Sequence, residues 1–107
     1  SYTHPEYAVS MAATFELTAA RALLLRGTEG EVVADARRTP QMDAFVRGTR
    51  IRLVEAQAGS LLKLPELPTE IDAGVTARYS QAVLRGEIPV PAPLAAQVHA
   101  VLKALNL

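Results

Sequence analysis

Arginine carries most of the chemical capacity of this chain. Nine of its 11 cationic residues are arginine, the side chain suited to two-pronged contacts with phosphate, guanine or carboxylate. Two of them, Arg78 and Arg85, fall in residues 74–86, G-V-T-A-R-Y-S-Q-A-V-L-R-G. A turn at Gly74, a good N-cap at Thr76 and a short helical pattern that stops at Arg85-Gly86 read as the second half of a helix-turn-helix. That motif docks a helix in the DNA major groove.

Other chemistry is sparse. With no cysteine there is no disulfide, thiolate metal site or cysteine nucleophile. His4 and His99 are the only histidines, and His99 has Leu102 and Lys103 at helical spacing rather than a second ligand. Ser10, Ser60 and Ser80 lie in no Ser/His/Asp context. Gly27-Thr28-Glu29-Gly30 lacks the Lys-Ser/Thr of a phosphate loop. No enzymatic activity, metal or cofactor is expected.

The chain has 107 residues, about one domain, and half of them are apolar. Tryptophan is absent and aromatics are few, so Leu, Val and Ala must build the core. The formal charge is zero, which argues against binding nucleic acid by bulk charge alone. The distribution is uneven. Arg37, Arg38, Arg47, Arg50 and Arg52 face only Asp43, and Arg78, Arg85 and Lys103 face only Glu87. Acidic residues gather at Glu29, Glu31 and Asp35, and again at Glu66, Glu70 and Asp72. A neutral total can hide a basic face. No apolar run spans a bilayer and no secretory signal opens the chain, so a cytoplasmic protein without membrane contact is expected.

The elements that must position these residues read as helices. Pro5 opens one that runs to Arg26, with Gly27 as its stop. Residues 28–38 are open between a short helix from Gly30 or Glu31 and a brief strand at Val32-Val33. Thr39-Pro40 starts a second long helix, carrying Met42, Phe45, Val46, Leu53 and Ala56 to about Ala58, with Gly48 as a kink or close contact. Arg50-Ile51-Arg52-Leu53-Val54 alternates like a strand, so 50–54 stays open. Pro65 and Pro68 break the regular structure, and Thr69 to Asp72 starts another helix. Either one helix runs to Arg85 or two short ones meet at Gly74. Pro93 opens a last helix, apolar nearly all round, which must be buried or meet a partner.

From Gly74 to Leu107, about a third of the sequence, the chain resembles the phage-repressor and Cro-type helix-turn-helix family. Gly74-Val75-Thr76 matches that family's turn, and Arg85-Gly86 falls where its recognition helix ends. In that family a proline-bearing loop and an apolar helix come after the recognition helix, and Pro89, Pro91 and the ending Ala-Leu-Asn-Leu fit them. The resemblance implies that Thr76 caps the recognition helix and touches phosphate. It places Ala77 and Arg78 at the base-reading end, Gln81 one turn on where it can pair with adenine, and Arg85 on backbone phosphate.

The expectation is a single all-α domain of about five helices over residues 1–107. Residues 1–58 supply N-terminal helices that could dimerise, and 69–107 hold the candidate helix-turn-helix. The expected function is a small DNA-binding regulator of repressor or antitoxin type, forming a homo-oligomer on double-stranded DNA. The alternative is a non-enzymatic helical scaffold that binds another protein or itself.

Overall fold

The computed structural model describes residues 1–61 and 63–107. Among them the order is α1 (Pro5–Thr18), β1 (Ala22–Leu25), β2 (Met42–Val46), β3 (Thr49–Val54), α2 (Ala73–Leu84) and α3 (Ala92–Leu105). The fold is mixed α/β, not all-α. Three helices stand where five were expected, and residues 22–54 form an antiparallel sheet in the order β1-β2-β3.

Helix α1 begins as read, with Pro5 in its first turn, but it ends eight residues early. Ala19 turns left-handed at φ 54°, and the Ala20 amide donates back to the Phe15 carbonyl at 3.1 Å. No glycine marks this stop. The Ala-Leu-Leu-Leu run beyond it is β1, paired along its length with β2, from Ala22 opposite Phe45 to Leu25 opposite Met42.

The second long helix expected from Thr39 is a β-hairpin. Val46 pairs with Thr49 across Arg47-Gly48, and both turn residues have positive φ, 50° and 77°. A two-residue turn of this kind matches the right-handed twist of its strands. Gly48 is therefore a hairpin corner and not a helix kink, and the alternation at 50–54 is a true strand. Thr39 caps nothing: its amide donates to the Gln57 side chain, and its carbonyl accepts from the Gln57 amide. Residues 31–36 are neither helix nor strand.

All five residues of β2 are buried. Met42 joins Leu25, Ala34 and Ala100 on one face, with Leu23, Leu53, Val54 and Ala96 around them. Phe45 joins Ala12 and Leu24 on the other, flanked by Tyr2, Met11, Phe15 and Ala22. Helices α1 and α3 thus cover opposite faces of one sheet. Phe15 and Phe45 meet with ring centroids 5.4 Å apart, a favourable aromatic separation.

Polar side chains fix α3 near its middle and at its C-terminal end. Gln97 accepts from the Ala34 amide at 2.7 Å and donates to the Val32 carbonyl at 2.8 Å. Arg21 donates to the carbonyls of Ala104, Leu105 and Leu107 at 2.9–3.2 Å, occupying acceptors that a helix end leaves open. Its charge also complements the negative end of the helix dipole.

The remaining charged group inside the sheet is Asp43, 2 % exposed. Arg52 reaches it at 2.5 Å, Arg50 at 2.6 Å and Gln41 at 2.7 Å. The Arg50 guanidinium also lies 5.8 Å from the centre of the Phe45 ring. Burial alone would raise the Asp43 pKa, but the bonds from Arg50, Arg52 and Gln41 outweigh it and hold the carboxyl below its ordinary value. The Arg37 guanidinium does the same for Asp35, lowering it from 3.8 to about 2. Stability carried by such lowered carboxylates is present above the unfolded value and is lost as pH falls through the folded one. Urea-unfolding midpoints should therefore drop between about pH 4 and about pH 2. Asp43→Asn should start from a lower midpoint at neutral pH and lose less across that window.

Candidate functional site

Thr76, Ala77, Arg78 and Gln81 all lie on α2, and Arg85 is its C-cap. The helix is capped one residue before its start: the Asp72 carboxylate accepts from the Val75 amide at 2.9 Å. Thr76 therefore sits inside the first turn and caps nothing. Gly74 is the second helical residue, so no turn separates two helices there. No helix precedes α2 among the described residues of the 55–72 segment. Among the described residues no two helices meet at a turn at Gly74.

The end of α2 is where it was read. Gly86 is left-handed at φ 75°, and the Glu87 amide donates to the Ala82 carbonyl at 2.9 Å. Neither a strand nor another helix lies against α2 among the described residues. Val75, Tyr79, Ala82 and Val83 are half-buried, while all five expected site residues are exposed. Arg78 and Arg85 join no salt bridge among the described residues, and α2 itself carries no acidic residue.

A different surface emerges on α3. Ala100 and Ala104 are buried, Ala96 packs beside them, and these small side chains let the helix lie close on the sheet. Leu94, Val98, Val101, Leu102 and Leu105 recur at i, i+4, i+7, i+8 and i+11, the spacing of a helix-packing stripe. All but the half-buried Leu94 are exposed. Val98, Leu102 and Leu105 are 51 %, 54 % and 61 % exposed. Covering four such half-exposed side chains is worth on the order of 3–6 kcal/mol. Joining two separate molecules costs about 4–15 kcal/mol before any contact is gained. The all-round apolar character was visible in the sequence, but which side would face outward was not.

A cleft of about 750 Å³ opens where residues 2–4 meet the segments that follow β1, precede β2 and follow β3. Its polar lining includes His4, Arg26, Thr28, Asp35, Arg38 and Gln57. Gly27 is buried there, and a Cβ added to it would collide with the Glu31 carbonyl. Several of these groups are already committed. Asp35 holds Arg37 and Thr28, and Arg38 donates to the Gly59 carbonyl at 2.8 Å. No group of three or more potential metal ligands occurs among the described residues. His4, Thr28, Asp35 and Arg38 were each named from sequence but never as one site, because these residues come together through the fold of the sheet rather than through local spacing.

Geometry thus defines a small α/β unit with both sheet faces covered and an apolar helix face left open. No protein-family model matches the chain. It is 41 % identical over 107 residues to the uncharacterized protein YbiB of Escherichia coli strain K12. The alignment takes in 97 % of this chain and 32 % of that protein, so the chain spans about a third of the length of the relative it matches. No described helix is long and apolar enough to cross a membrane.

The reassigned cap has a direct check. Asp72→Ala should weaken α2 by about 0.5–2 kcal/mol, read as faster amide exchange through its first two turns. Thr76→Ala should leave those rates nearly unchanged.

Proposed function

We propose that this chain is a non-enzymatic interaction unit that packs another polypeptide segment against the outer face of α3. The observation that supports this reading is the stripe Val98, Val101, Leu102 and Leu105 on a helix whose opposite side is already filled. Scattered exposed aliphatics need no explanation, but a helical row of them on a well-anchored helix marks a contact surface. It is the scaffold alternative in a revised form, with an α/β platform in place of a helical bundle. Val98→Glu combined with Leu102→Glu should leave the fold intact, since neither side chain is in the core, and should abolish association through this face. Unchanged association in that double variant, measured by sedimentation, would remove α3 from the interface.

DNA binding is the second reading, without a helix-turn-helix. It is supported by α2, an exposed helix with Arg78, Gln81 and Arg85 outward and no acidic side chain of its own. Asp72 at its start and Glu87 beyond its end oppose the attraction. On this reading Arg78→Ala with Arg85→Ala weakens duplex binding and flattens its salt dependence by about two phosphate contacts. Equal salt slopes in the double variant and the parent would exclude α2 as the contact.

A further inference from the structure

We infer that the outer edge of β3 is a docking site for an extended acidic peptide segment, which joins the sheet as a fourth strand. The inference is independent of α3 and concerns the edge of the sheet rather than its faces. The register defines that edge. In the order β1-β2-β3, β3 lies outermost. Across the two-residue Arg47-Gly48 turn, Val46 and Thr49 form a hydrogen-bonded pair, and Ala44 and Ile51 form the next one. Arg50 and Arg52 alternate with these residues, so their amides and carbonyls point away from β2. Among the described residues no partner takes up these four groups.

The side chains select what can pair there. Arg50 and Arg52 share one face of β3 and are 41 % and 40 % exposed. Arg50 uses Nε and Nη2 on Asp43, and Arg52 uses Nε on Asp43 and Nη1 on Glu55. The remaining Nη group of each arginine is an outward donor. A second copy of this chain is disfavoured, because every antiparallel register of this edge with itself sets arginine against arginine. Charged edges refuse self-pairing in this way. The same charges favour a strand with carboxylates at i and i+2, directly beside Arg50 and Arg52. Between those carboxylates the partner carries apolar or β-branched residues, since its other face lies alongside half-buried Ile51 and Leu53.

Amide exchange followed by NMR on the 107-residue chain tests this with blocked Thr-Glu repeat peptides of about ten residues. In excess peptide the Arg50 and Arg52 amides should exchange at least about tenfold more slowly. Those of Thr49 and Ile51, already bonded to β2, should change far less. A Thr-Lys repeat should protect neither arginine. Nor should a Thr-Glu repeat N-methylated at each glutamate, which keeps the charge but sets methyl groups against the edge. Unchanged Arg50 and Arg52 rates in the Thr-Glu peptide overturn the inference. Equal slowing by the lysine repeat or by the N-methylated repeat overturns it too, because carboxylates or backbone pairing would then not be what is recognised. Protection of those two amides without peptide, growing with protein concentration, assigns the edge to a second copy and likewise overturns it.

Discussion

Everything in this fold depends on covering β2 from both sides. Its five residues put Met42, Ala44 and Val46 toward α3, and Asp43 and Phe45 toward α1. A strand buried on both faces needs a layer above and a layer below, and this chain has one long helix for each. It also needs neighbours on both edges, which β1 and the tight Arg47-Gly48 hairpin supply. The one charge on the strand is tolerable because Arg50, Arg52 and Gln41 enclose it. Removing one partner of a buried pair leaves a desolvated charge, so the cluster acts as a unit.

How much of this was legible in the sequence depends on how local each signal is. Pro5, Arg85-Gly86 and Pro93 mark helix ends through chemistry confined to one turn, and those ends fall where they were read, whereas the start of α2 is capped by Asp72 and not by Thr76. The sheet was hidden for an opposite reason. Met42, Phe45 and Val46 sit at i, i+3 and i+4, which imitates a helix, while a doubly buried strand has no alternation to betray it. The hairpin turn carries arginine where asparagine or aspartate is the usual partner of glycine. The first helix stops on an alanine forced left-handed, for which no residue type gives notice. With the sheet missing, the cleft between residues 2–4, 26–29 and 38–41 could not be assembled either.

The two C-terminal helices differ in what holds them. Helix α3 is wedged on the sheet by alanines and tied down by Gln97 near its middle and by Arg21 at its C-terminal end. Helix α2 has its caps, Asp72 and Gly86, but no strand or helix beneath it among the described residues. Its secondary structure is encoded locally and its position is not. That contrast explains why sequence reading could find the C-terminal limit of α2 and not what the helix rests on.

The Arg21 clamp on the last turn of α3 has a kinetic corollary. It joins residues more than 80 positions apart, so the final helical turn is secured only after the opening of β1 is in place. Fraying from that helix end is then opposed by a contact that closes a loop of more than 80 residues. A contact that forms after the folding transition state acts on the barrier against unfolding and not on the folding rate. The carboxyl-terminal helix of this unit, once seated, should thus let go slowly.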